Sequence, residues 1–231
     1  MENQFQRCEW IYSLDYLNKI QDKKIAIFGL GGVGGSAAEA LARFGFKHFL
    51  IVDNDVVNLT NINRQVIATH SSVGKSKVEV MKARLLDINP EIEVITSDVF
   101  LLEINDFPFD LKEYDFVVDA IDTTTAKLNL IQYCVENNIN IISSLGCGNR
   151  KDPSKLQIMD LDKTSYDPLA KVMRKELGLR GIKHLPVVCS TEIPVKAAKE
   201  ENGRHIPGSS TFVPPVAGIM LAQYVAEELL K

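Results

Sequence analysis

A run of five glycines in seven residues separates a short apolar segment from a helix-forming one. Lys24–Phe28 (KIAIF) leads into Gly29-Leu30-Gly31-Gly32-Val33-Gly34-Gly35, and SAAEALARF follows. Glycines at such a junction let the backbone turn tightly and approach a phosphate, while the helix start offers free N–H groups to an anion. Nineteen residues beyond Gly34, Asp53 closes the next apolar run, Phe49–Val52. An acid in that place accepts hydrogen bonds from ribose hydroxyls. Gly29, Gly31, Gly32, Gly34 and Asp53 therefore read as nucleotide-binding candidates. A tight strand–helix turn without ligand is the plainer alternative, and this motif alone does not separate NAD from ATP.

The rest of the chain repeats the alternation. Glu93–Thr96, Phe116–Ala120 and Asn140–Ser143 are further short β-branched or aromatic runs, and helical patterns cover Ser36–Phe44, Lys75–Ile88 and Thr125–Glu136. In the second helix Val78, Met81, Leu85 and Ile88 form one apolar stripe that stops at Asn89-Pro90. Repeated β-α-β units imply a doubly wound, mostly parallel Rossmann-like α/β sheet over about residues 20–146. Beyond it, Gln157–Leu161 and Leu185–Ser190 read as strands around a helix at Asp167–Leu177, suggesting a C-terminal antiparallel extension over about 147–231. Glu200–Ser210 reads as a polar loop and Val216–Leu230 as a closing helix. With no repeat and no low-complexity linker, residues 1–231 are expected to form a single domain.

Composition narrows the class. Of 231 residues, 45% are apolar and 24% charged, which excludes a disordered, collagen-like or coiled-coil chain. Lys+Arg number 26 against 30 Asp+Glu, so a net charge of −4 argues against a generally basic nucleic-acid coat but not against a local patch. Cys8, Cys134, Cys147 and Cys189 are scattered without C-x-x-C, which makes a structural zinc site unlikely and points to a reducing cytoplasm. The start, MENQFQRCEW, lacks the apolar core of a signal peptide, and the longest weakly apolar stretch, 25–42, is broken by glycines and Glu39, so no membrane insertion is expected.

Asp53 opens a polar segment containing Asp55, Asn58, Asn61, Asn63, Arg64 and Gln65, with Arg64 a fixed cation. Val73-Gly74-Lys75-Ser76-Lys77 then starts the helix. Lysines at a helix N-terminus oppose the macrodipole, so an anionic partner explains them better than helix stability does. That argument favours Lys77; Lys75 reads as a solvated surface residue. The fourth strand ends in Asp119-Ala120-Ile121-Asp122. Carboxyl ends of neighbouring strands converge on one crevice, so Asp122 is placed to hold a metal beside phosphate oxygens. Asp119 fits a buried hydrogen-bonding role as well as a functional one.

The ordered set G-x-G-G-x-G, D-x-D-x-V, N-x-N-R-Q, V-G-x-x-K and D-x-x-D resembles the ubiquitin-activating-enzyme-like superfamily of ThiF/MoeB type, over about residues 5–146. Those enzymes use a carboxylate to attack the α-phosphate of Mg-ATP, giving an acyl-adenylate and pyrophosphate. The resemblance implies ATP and Mg²⁺ as cofactors, with Asp53 on the ribose, Asp55 and Asn61 in the nucleotide site, Arg64 and Lys77 on the phosphates and Asp122 on magnesium. Arg7, in QFQRCE, matches the family's N-terminal arginine, which reaches a site across a homodimer; an ordinary surface arginine is the alternative. A nicotinamide-dependent dehydrogenase would leave Arg64, Lys77 and Asp122 unexplained.

Segments of the second half, among them Asp152-Pro-Ser, Val188-Cys-Ser-Thr-Glu192 and residues 206–218, resemble the superfamily branch that dehydrates threonylcarbamoyladenosine in tRNA. The resemblance implies tRNA as partner and the threonyl carboxylate as the group activated. Adenylation of the C-terminus of a ubiquitin-like or sulfur-carrier protein is the alternative. A tRNA substrate requires a cationic surface, and residues 171–184 carry Lys171, Arg174, Lys175, Arg180 and Lys183 against one acid, Glu176. A solvated face is the bland reading of that cluster. Cys147 and Cys189 have no histidine close in sequence and read as small buried residues. A branch cysteine near the C-terminal loop is unmatched: the stretch reads Gly208-Ser209-Ser210-Thr211. The sequence names no accessory protein partner.

Overall fold

The computed structural model describes residues 3–99, 108–196, 200–201, 204–205 and 207–231. Two short helices, α1 (Gln6–Tyr12) and α2 (Leu14–Gln21), precede β1 (Lys24–Phe28). The chain continues through α3 (Gly34–Phe44), β2 (His48–Val52), α4 (Lys77–Ile88), β3 (Glu93–Ser97), β4 (Phe116–Asp119), α5 (Thr124–Glu136) and β5 (Ile141–Ser144). Then follow β6 (Leu156–Asp160), α6 (Pro168–Leu179), β7 (Pro186–Ser190), a small hairpin of β8 (Glu200–Glu201) and β9 (Arg204–His205), and α7 (Val213–Glu228).

Seven strands form one sheet in the order β3-β2-β1-β4-β5-β7-β6. All neighbours are parallel except β6 with β7. The C-terminal extension contains the expected antiparallel pair, β6 with β7. β7 runs parallel to β5, and only the edge strand β6 is antiparallel, because the chain first crosses to the outer edge and α6 then returns it to fill the gap.

Period two sorts β1 onto both faces, as a strand covered on two sides requires. Ile25 and Ile27 join a core with α3, α4 and α7, while Ala26 and Phe28 join a second core with α5 and α6. In α4 the stripe Val78, Met81 and Leu85 is buried as read from the sequence. That helix starts at Lys77 rather than Lys75, because the preceding residues are tied to the 55–57 segment: Val57 N–H donates to Lys75 O at 2.8 Å and Lys77 N–H to Asp55 O at 3.0 Å. Conversely α7 starts three residues early, since Pro214 and Pro215 are tolerated in a first turn. A Cβ on Gly218 would lie 2.1 Å from Val33 O, so α7 packs backbone to backbone on the glycine loop. The polar loop expected at 200–210 contains the β8–β9 pairing, and residues 202, 203 and 206 lie outside the described ones. Among the described residues, no helix is long and apolar enough to cross a membrane.

Candidate nucleotide site

The strand order reverses between β1 and β4, and the site lies at their carboxyl ends. Here the two loops touch through their backbones. Gly29 has φ +88°, and a Cβ on it would sit 2.6 Å from Ala120 O; a Cβ on Gly34 would sit 1.8 Å from Gly29 O. These glycines are fixed by contact distance as much as by conformation. The cleft above them has a volume of about 510 Å³, within the roughly 300–1,000 Å³ of small-molecule and cofactor sites.

Gly29, Gly31, Gly32, Asp53, Asp55, Asn61, Arg64, Lys77 and Asp122 all line it. The structure therefore gathers eight of the predicted nucleotide-site residues, with Asp122, in one cleft. Gly34 is not part of the lining; it serves the packing of α3 on the loop. Arg7 lies exposed on α1, also outside the lining of its own chain's cleft.

Asp53 is wired to the glycine loop. Its Oδ2 accepts Leu30 N–H at 2.6 Å and its Oδ1 accepts Asp55 N–H at 2.9 Å. Lys77 is 5% exposed, and its Nζ lies 2.7 Å from Asp55 Oδ2 and 3.5 Å from Asp53 Oδ2. The anions that explain a lysine at this helix start thus include two of the protein's own. Lys75, by contrast, is exposed. Asn61 is buried, and its Oδ1 accepts Asn58 N–H at 2.9 Å, holding the loop that carries Arg64.

Arg64 has no acidic partner among the described residues. Its Nη1 donates to Thr60 O at 3.0 Å and Asn63 Oδ1 at 2.8 Å, both neutral acceptors. Burial pushes the guanidinium below its usual pKa. Next to it, Gln65 Oε1 is buried without a partner among the described residues. A desolvated cation beside an open cleft favours an anionic ligand. Asp122 is exposed and, among the described residues, accepts only a long 3.5 Å bond from Thr123 Oγ1, leaving the hard carboxylate oxygens that Mg²⁺ prefers. The donor set fits a phosphate-bearing ligand and a divalent cation.

Asp119 is fully buried and paired with Lys127 at 2.7 Å, so its structural reading holds. Lys127 and Ser143, its partners, carried no motif and were not legible in the sequence. Cys147 and Gly148 also line the cleft. Burial pushes the Cys147 thiol up and takes Cys134 and Cys189 to about 12, so none of these three is poised as a thiolate.

The basic segment occupies α6 and the turn after it. Lys171, Lys175, Arg180 and Lys183 are exposed. Arg174 is different: it turns inward, its Nη1 donating to Thr164 O at 2.8 Å and to the Thr164 hydroxyl. Its guanidinium ties α6 to the preceding turn, unlike the four exposed cations around it.

A parallel sheet with a glycine loop and an uncompensated arginine at its switch point defines a nucleotide-binding α/β protein. The ThiF family matches residues 4–178, and the chain belongs to that family. It is 41% identical to the tRNA threonylcarbamoyladenosine dehydratase of Bacillus subtilis (strain 168), across 100% of this chain and 96% of that protein. The fold is also similar to E. coli tRNA N6-threonylcarbamoyladenosine dehydratase at 34% identity. For that enzyme's complex with AMP the TM-score is 0.89, covering 98% of this chain and 94% of that one. For its complex with ATP the TM-score is 0.88, covering 98% and 93%.

Proposed function

We propose that this protein is an ATP-dependent tRNA threonylcarbamoyladenosine dehydratase. It adenylates the threonyl carboxylate of the modified nucleoside and lets the activated side chain cyclise. The observation that carries the reading is Arg64, a half-buried cation with neutral partners that lines the same switch-point cleft as the exposed carboxylate of Asp122. The substrate assignment is supported by likeness to the dehydratases along the whole chain, residues 147–231 included. That extent favours tRNA over the C-terminus of a ubiquitin-like or sulfur-carrier protein. The reading takes residues 1–231 as one adenylating unit, a nucleotide half and a substrate half on one sheet.

A carboxylate is a poor electrophile because its leaving group would be oxide. A carboxylate oxygen attacks the α-phosphorus of ATP, the bond to pyrophosphate breaks, and an acyl-adenylate forms. A nucleophile within the carbamoyl side chain then attacks the acyl carbon, releasing AMP and a proton, with net loss of one water from the nucleoside. Negative charge on the α-phosphoryl oxygens peaks in the first step, so fixed cations there accelerate it.

In this reading the main chain at Gly31 and Gly32 approaches the phosphates, and Asp53 accepts the ribose hydroxyls. Arg64 meets the α-phosphoryl oxygens. Lys77 has three ammonium donors, of which Asp55 and Asp53 engage two, leaving one for a phosphate. Asp122 would hold Mg²⁺, which when bound supplies charge neutralisation at the phosphates. Lys171, Lys175, Arg180 and Lys183 would face tRNA phosphates. Arg7 would complete the site of a second copy in a homodimer, beside the exposed Trp10, Ile11 and Leu14; a fully active monomer by light scattering would remove that part. The functional test is pyrophosphate release with ATP and Mg²⁺ upon adding threonylcarbamoyl-modified tRNA or a ubiquitin-like carrier. Release with the carrier alone would replace the substrate assignment.

A further inference from the structure

We infer that Lys127 is a positioning residue that sets the spacing of two segments that reach the cleft, the Asp122 turn after β4 and the Ser144–Gly148 segment at the end of β5. This rests on the adenylation reading for what the segments hold, and on geometry for the spacing itself.

Lys127 lies in the first turns of α5, and its side chain is fully buried. Its Nζ lies 2.7 Å from Asp119 Oδ2, 2.9 Å from Ser143 Oγ and 3.0 Å from Ser144 O. An ammonium has three donors, and all three are used. Ser143 Oγ–H in turn donates to Asp119 Oδ2 at 2.6 Å. The other carboxylate oxygen, Asp119 Oδ1, accepts Ile121 N–H at 3.1 Å. One cation therefore joins the ends of β4 and β5 and, through Asp119, pins the amide immediately before Asp122. Ser144 leads to Cys147 and Gly148, which line the same cleft as Asp122.

Stability alone does not call for this arrangement. Apolar residues of similar volume often replace a buried ion pair at no loss. The pair sits at the carboxyl ends of β4 and β5, where Asp119 and Ser143 form the last register pair between the two strands. Register there decides where Asp122 stands relative to the Cys147–Gly148 segment. Groups that orient a metal ligand are typically worth about 10–100-fold in metal affinity or activity, and a displacement of about 1 Å in a reacting geometry costs on the order of 100-fold.

The test separates position from folding. Lys127→Met leaves Asp119 buried and unpaired and is expected to lower the unfolding midpoint. The double variant Asp119→Leu/Lys127→Met removes both charges and is expected to regain most of that loss. ATP affinity is measured by calorimetry with Mg²⁺ and with EDTA, without tRNA. In the folded double variant the Mg²⁺-dependent gain in ATP affinity should fall about tenfold or more, the affinity in EDTA should stay near wild type, and Ile121 amide exchange should quicken. Ser143→Ala keeps the ion pair, removes one bond from each member, and should show the same shift at smaller amplitude; it decides the matter if the double variant does not fold. Wild-type Mg²⁺ dependence and wild-type Ile121 protection, in the double variant or failing it in Ser143→Ala, would overturn the inference and leave Lys127 a purely structural residue. Absence of any Mg²⁺-dependent gain in the wild-type protein would instead overturn the metal assignment to Asp122.

Discussion

Replacing Arg64 with alanine should separate chemistry from stability more sharply than any other change in the cleft. In the folded state one guanidinium nitrogen makes two bonds to neutral oxygens, Thr60 O at 3.0 Å and Asn63 Oδ1 at 2.8 Å. Their combined net worth is about 1–2 kcal/mol. Against it stands the desolvation that pushes the group's pKa down, a cost relieved by truncation. The two effects oppose each other, so stability should change by no more than about 1 kcal/mol. The rate should respond quite differently. Losing one preorganised charge partner of a developing oxyanion costs about 100- to 1000-fold, roughly 2.7–4 kcal/mol. Arg64→Lys retains charge but not the planar fork, and should recover only part of that loss. Steady-state pyrophosphate release with modified tRNA and urea unfolding of the same samples provide the two numbers. A variant that is destabilised by several kcal/mol yet loses less than tenfold in rate would refute the reasoning and make Arg64 a loop anchor.

Other expectations follow from the same geometry. Asp122→Ala should cut pyrophosphate release by about 100-fold or more while leaving tRNA affinity near wild type; filter binding and a Mg²⁺ titration check both halves, and retained activity at ordinary Mg²⁺ would move the metal elsewhere. Reversing Lys171, Arg180 and Lys183 to glutamate should lower the salt dependence of tRNA binding by about three phosphate contacts, and an unchanged slope would take that face out of the interface. Arg174 is left out of that set because it holds Thr164. Cys147→Ser should keep adenylation, as burial holds this thiol protonated. Cys189→Ser should also keep it but lose about 1–3 kcal/mol of stability, since it buries a hydroxyl in the core. Loss of pyrophosphate release in a folded Cys147→Ser protein would restore the thiol to the mechanism.

Most of the nucleotide half was legible because local patterns carried it. β1 and the α4 stripe are short-range signals, and Gly29 and Asp53 lie at a spacing that a strand–turn–helix unit imposes. The switch-point rule then brings Asp122 to the same crevice from seventy residues away. What was not legible depends on tertiary contact. α1 buries no residue, and α2 buries Leu17 and Ile20 on one face but is only eight residues long, too short for its pattern to stand out. The parallel placement of β7 reflects the gap left between β5 and the edge strand β6, which no period reveals. Lys127 reads as an interruption of an apolar helix; a lysine flanked by Ala126 and Leu128 and eight residues after a strand-end aspartate was the available signal. Arg174 shows the reverse case, since its neighbours in sequence are exposed cations while its own side chain folds inward. The inward pairing of Lys77 with Asp55 also required the structure, although both residues stood out in the sequence.

The central claim is the reaction, and nucleoside mass analysis addresses it directly. tRNA bearing threonylcarbamoyladenosine is incubated with the protein, ATP and Mg²⁺, digested under mild conditions, and the modified nucleoside is weighed while AMP and pyrophosphate are counted. The account predicts loss of one water per nucleoside, with one AMP and one pyrophosphate formed for each, and no change when ATP is omitted. Turnover of ATP with the nucleoside mass unchanged would contradict it.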